Sequence, residues 1–121
     1  MPSPYAGLER SLVTAEFDQN TAADHVVKAV PLGLRFFVYQ AYLQNDTANA
    51  VEVVIKSGST AIARFDVPTT SAADNVREFR NAPLPIWEGI SSGDDLVITL
   101  PGTDRIYGWL NYALADHTRS S

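Results

Sequence analysis

The chain has no cysteine among its 121 residues, so neither a disulfide framework nor a thiolate metal site is open to it. Basic residues are scarce. Nine Lys and Arg stand singly among fourteen Asp and Glu, for a formal charge of −5. Duplex-binding proteins gain affinity by neutralising phosphates with Lys and Arg, so nucleic acid is not an expected partner. No apolar run approaches the roughly 20 residues that span a bilayer, and a membrane partner is not expected either. Met1-Pro2-Ser3-Pro4-Tyr5 lacks the basic and apolar regions of a signal peptide. The chain therefore reads as one made in the cytoplasm and not secreted by the ordinary route. With two histidines and no cysteine, a transition-metal site would need carboxylates as well. There is no nucleophile elbow, no phosphate loop and no dinucleotide fingerprint.

What is present is strand chemistry. The densest stretch runs from Leu34 to Gly58, two runs rich in β-branched and aromatic residues separated by Asn45-Asp46-Thr47-Ala48-Asn49. Such residues suit a pleated, half-buried surface, and Asn and Asp bond nearby backbone in turns. The pattern predicts a β-hairpin. Read by alternation, Leu34, Phe36, Val38 and Tyr42 share one face of its first strand. Arg35, Phe37, Tyr39, Ala41 and Leu43 share the other. On the second strand Val51, Val53 and Ile55 point inward, and Glu52 and Lys56 outward.

Around this centre the chain divides into a proline-containing arm over residues 1–9, a folded body over 10–114 and a polar tail over 115–121. Further strands are expected at Ser11–Phe17, at His25–Val30 before Pro31, at Thr60–Val67 before Pro68, at Asp94–Leu100 with Leu96, Ile98 and Leu100 inward, and at Ile106–Leu114. Val76–Arg80 reads as a short strand or an irregular crossing, and Thr69–Asn75 as a loop. About eight short strands with turn signals between them and no amphipathic helix predict a single-domain, all-β antiparallel β-sandwich. Eight strands of this length favour a jelly roll. A domain of this size hides roughly two thirds of its unfolded surface, enough for a core without staples.

The search for chemistry yields no catalytic set. His25 at a strand start reads as structural, and His117 lies in the tail. Asp94, Asp95 and Asp104 would suit a hard cation such as calcium if a hairpin brought them together, but solvated loop carboxylates are the plainer reading. Glu78 and Glu88 form a glycosidase pair only if their carboxyls are held at a defined separation, and nothing singles them out from the other acids. No enzyme, metal or cofactor is expected. The aromatics remain. Trp87, Trp109, Tyr5, Tyr39, Tyr42, Tyr107 and Tyr112 either fill the core, anchor a protein interface, where Trp and Tyr are enriched, or stack sugars.

The apolar character of both faces of the Leu34–Leu43 strand bears on that choice. A long greasy strand left open invites aggregation, and a symmetric oligomer would cover it. Phe37, Tyr39, Leu43 and Trp109 are accordingly the expected contacts between copies. Pro4, Tyr5 and Leu8 are the expected anchors of the arm.

The string Ala23-Asp24-His25-Val26-Val27-Lys28-Ala29-Val30-Pro31-Leu32-Gly33-Leu34 resembles an opening found in small β-rich structural proteins of tailed bacteriophages. There it likewise leads into an aromatic strand, a polar turn and a strand like Val51-Glu52-Val53-Val54-Ile55-Lys56-Ser57-Gly58-Ser59-Thr60-Ala61-Ile62. Trp87 near Gly89, the run from Gly93 to Leu100, and a closing strand through Tyr112 are also similar, so the likeness covers roughly 23–114. It departs from the usual pattern in the extra residue of Pro31-Leu32-Gly33 and in the long Thr69–Asn75 loop. The resemblance implies a virion component, best matched by a jelly-roll capsid cement (decoration) protein on the capsid surface. Such a protein would be a homotrimer whose other partner is the major capsid protein, with the arm touching the shell. A tail, fibre or baseplate module is the nearest alternative. A carbohydrate-binding module using Trp87 or Trp109 is the alternative from another class.

Overall fold

A computed structural model describes residues 12–68, 76–80 and 84–116. Its strands are β1 (Val13–Gln19), β2 (Ala23–Lys28), β3 (Arg35–Asn45), β4 (Val51–Ser57), β5 (Thr60–Val67), β6 (Val76–Arg80), β7 (Trp87–Glu88), β8 (Leu96–Leu100) and β9 (Ile106–Ala115). No helix occurs among the described residues. One sheet has the order β1-β9-β3-β6, with the two-residue β7 pairing farther along β3; the other has the order β2-β8-β4-β5. Every pairing is antiparallel. The protein is thus the all-β antiparallel sandwich that the residue pattern predicts. The expected arm and the Thr69–Asn75 loop fall outside the described residues, as does the expected tail from residue 117 on, while Ala115 belongs to β9 rather than to the tail.

The pairings nest: β1 with β9, β2 with β8, β3 with β6 and β7, and β4 with β5. Strands distant in sequence are thereby paired around the innermost β4–β5 hairpin.

The nesting corrects the expected central hairpin. β3 and β4 do not pair; they lie in opposite sheets. Their link is shaped by Asn45, which is fully buried. Its carbonyl accepts from the Thr47 N–H and hydroxyl, both at 2.8 Å, and its amide donates to the carbonyl of Val67 at 3.3 Å. That last bond reaches across to the end of β5. Turn residues between two apolar runs therefore mark a crossing here, because the inward faces of both runs belong to one core. The hairpin that does form is β4–β5, turning at Gly58 with φ of 60°.

The core fills the space between the sheets. Phe36, Val38, Leu43, Leu110 and Tyr112 come from one sheet, and Val53, Ile55, Leu96, Ile98 and Leu100 from the other. One side of the sandwich, between β5 and the β6/β7 edge, is closed by an aromatic seam. Phe65 packs edge-on against Phe79 at 4.8 Å and stacks on Trp87 at 5.9 Å.

A β-bulge decides which β3 side chains enter this core. Val38 pairs with Tyr112 and Gln40 with Asn111, leaving Tyr39 as the extra residue. One inserted residue reverses the alternation that follows it. Phe36 and Val38 face inward before the bulge; Ala41 and Leu43 face inward after it. Tyr42 is thereby turned to the outer face, the reverse of its expected side.

Candidate functional site

Three of the four residues expected between copies have no surface to offer. Phe37, Tyr39 and Leu43 are each 0% exposed within the single chain. Leu43 is a core residue because of the bulge. Phe37 has the Arg35 guanidinium over its ring at 5.5 Å. The apparent greasiness of both faces therefore does not call for a second copy: the bulge turns part of it into the core, and the chain covers the rest. Trp109 differs, being partly exposed on the outer face of the β1-β9-β3 sheet. Pro4, Tyr5 and Leu8 lie outside the described residues.

The other nominated groups are dispersed. Trp87 belongs to the aromatic seam, stacked on Phe65 and tilted against Phe79. Asp94 and Asp95 precede β8 and Asp104 follows it, so the three acids sit at opposite ends of one strand. Asp94 accepts from the Ser57 hydroxyl at 2.8 Å, and Asp95 from the Val30 N–H at 2.9 Å. They fasten loops. Glu88 pairs with Arg35 at 3.2 Å, whose Nε also donates to the carbonyl of Gly89. His25 meets the Thr21 carbonyl at 2.9 Å and the Phe17 ring edge-on. His117 and the Glu78 side chain are outside the described set. Among the described residues, no three His, Asp or Glu side chains gather as a metal would require.

Two surfaces remain, each assembled by the fold from residues far apart in the chain. The first is one end of the sandwich. Leu32 is 88% exposed and Ile90 54%. Both sit on loops tied to their neighbours: Gly33 N–H donates to the Ser92 hydroxyl at 2.6 Å, Gly93 N–H to the Leu34 carbonyl at 2.8 Å, and Ile90 N–H to the Ser57 hydroxyl at 2.8 Å. Gly93 has φ of 82° and packs against Leu32 so closely that a Cβ there would stand 3.2 Å from the Leu32 side chain. Leu32 is the residue that interrupts the Pro-Gly step, so the signal was present in the sequence.

The second surface is the outer face of β1, β9 and β3. Tyr42 and Trp109 stand opposite each other in register with parallel rings, 5.8 Å between centroids and 7° between planes. Beside them Thr14 donates to Asn111 at 2.7 Å, and Asn111 to Gln40 at 2.8 Å. At the far end Arg105 lies over the Tyr107 ring at 4.2 Å and holds Asp18 and Asp46, each at 2.8 Å. Hydrogen bonding from Arg105 lowers the Asp18 pKa below the usual carboxylate range. On the opposite sheet, Asp24 is lowered by hydrogen bonds from Thr99 and then Lys56. Hydrogen bonds to Asp18 and then Asp46 in turn raise the pKa of Arg105.

No protein-family model and no curated protein sequence matches this chain. The fold defines it as a β-sandwich, and its role has to be argued from these surfaces.

Proposed function

We propose that the chain is a non-enzymatic structural protein of a tailed-phage virion, a cement protein that docks on the capsid surface as a homotrimer and staples neighbouring subunits of the major capsid protein. The observation that carries this reading is the rigid loop end with Leu32 and Ile90 bared to solvent. Loops that merely connect strands are usually polar and mobile. Here the hydrogen bonds already fix the loops before any partner arrives, so little ordering entropy remains to be lost on docking. Burying each aliphatic side chain in a pocket of the shell would contribute about 1.5–3 kcal/mol. Three such ends acting together add avidity, and whatever binds only the assembled shell stabilises it by mass action.

The copies would meet along the side where edge strands β1 and β2 expose Val13 and Val26, at 52% and 56%. This replaces the β3 contact, whose residues are buried. The resemblance in the 23–114 region supplies the capsid as partner.

The test is immuno-electron microscopy of particles assembled in cells that express the chain, with wild type and L32D/I90D compared. Label over the wild-type head and its loss in the variant is the expected result; label confined to tails would overturn the cement role. Light scattering after size-exclusion chromatography addresses the trimer, and a strict monomer at high concentration would remove it.

A further inference from the structure

We propose that the outer face of the β1-β9-β3 sheet is a binding platform for neutral oligosaccharides, independent of where the protein resides. The register lays three rows of side chains across the three strands. Thr14, Asn111 and Gln40 form one; Glu16, Trp109 and Tyr42 the next; Asp18, Tyr107 and Gln44 the third. Neighbouring strands are about 4.8 Å apart, so each row spans about 10 Å, the length of two pyranose units. The middle row carries the stacked ring pair, and the flanking rows are polar apart from Tyr107.

A pyranose presents a face of C–H groups and a rim of hydroxyls. The first packs on aromatic rings, and the second needs amide and carboxylate partners beside them. Tyr42 and Trp109 supply a stacked pair of partly exposed rings. The Thr14–Asn111–Gln40 chain of hydrogen bonds orients two amides next to those rings and does not use the Gln40 NH2 group. Glu16, in register with Trp109, and Gln44, in register with Tyr107, complete the rim.

Three features of the face select this occupant. An anion meets Glu16 and Asp18, while among the described side chains of this face the cation is Arg105, already held by Asp18 and Asp46. That charge balance disfavours phosphate and nucleic acid. Among the described residues a protein partner would find no aliphatic centre here: their large exposed aliphatics, Val13, Val26, Leu32, Leu84 and Ile90, all lie elsewhere, and Val13 takes the opposite alternation to Thr14. What the face does offer, rings flanked by hydroxyl-matching groups, is the complement of a neutral sugar.

The experiment is an NMR titration of the full chain, following the two tryptophan indole N–H signals while neutral hexasaccharides of β-1,4-glucan, β-1,3-glucan, α-1,4-glucan and N-acetylglucosamine are added. The expected result is a saturable shift of the Trp109 signal with at least one of them, while the seam residue Trp87 stays still. In W109A, followed through backbone amides of Thr14, Gln40 and Asn111, affinity should fall about tenfold or more with the thermal midpoint nearly unchanged. Y42A provides a second variant with the same expectation. No shift with any of the four overturns the proposal, as does an equal shift at Trp87 or undiminished binding in W109A. Movement of the Trp109 signal on concentrating the protein without sugar would assign the face to a second copy, and that too overturns it. Displacement by heparin but not by neutral glycans would overturn it in favour of an anionic ligand.

Discussion

Replacing Gly108 by alanine tests the packing of β3 against β9 directly. Gly108 stands in the interior of β9, opposite Leu43 on one side and Phe17 on the other. A Cβ built on it would lie 1.8 Å from the Tyr42 carbonyl oxygen, 2.8 Å from its carbon and 3.1 Å from the Leu43 Cα. All three obstacles are backbone, so no rotamer change relieves them. To restore an ordinary contact of 3.4 Å or more, the β3 backbone must retreat from β9 over several residues. Two ladder bonds at about 0.5–1.5 kcal/mol each and local strain of about 1–3 kcal/mol give a destabilisation of about 2–6 kcal/mol. A domain of this length has roughly 6–18 kcal/mol in total, so the variant should fold poorly or melt far below wild type. Urea unfolding followed by tryptophan fluorescence measures it. Gly102, with nothing within 4 Å of its added Cβ, is the control, and G102A should shift stability by less than about 1 kcal/mol. A G108A protein within about 1 kcal/mol of wild type, with an unchanged amide spectrum, would refute the close approach of the two strands.

The assignment of Leu43 to the core predicts that L43A loses about 2–5 kcal/mol with no change of oligomeric state by light scattering, whereas an interface residue would dissociate copies first. Removing the largely buried Arg35–Glu88 ion pair by E88A should cost about 3–5 kcal/mol in urea unfolding, and R35M/E88L should recover much of it. The lowered pKa values of Asp18 and Asp24 carry a sign: a carboxylate depressed in the folded state adds stability above its unfolded pKa of about 3.9, and that stability is lost as pH falls through the folded value. The urea midpoint should therefore drop on acidification below about pH 4, and R105M should flatten the part due to Asp18.

Much of the sandwich was legible in order along the chain. Val51, Val53 and Ile55 face inward as their alternation says, and so do Leu96, Ile98 and Leu100. Strand chemistry is local, since side-chain branching and period-two patterning act within a few residues. The site was less legible. Trp109 stood out by type, but its stacking partner Tyr42 was assigned to the wrong face because a bulge leaves no mark in composition. Its effect is one residue of register, and alternation carried across Val38–Gln40 misplaces every side chain after it. The interior glycine at 108 was the available warning that two backbones approach closely there.

By itself, then, the sequence determined the class of fold: an acidic chain without cysteine, cut by Pro, Gly and Asn into short apolar strands, has to bury those strands face to face. The three-row platform was decided only by the tertiary structure. Thr14, Asn111 and Gln40 come from segments far apart in the chain, and what aligns them is the nested pairing of β1 with β9 and β9 with β3. The same pairing hides Phe37 and Leu43 that residue types would have placed at a surface. Strand partners are chosen by how the whole core closes, a global condition that no short stretch of residues encodes.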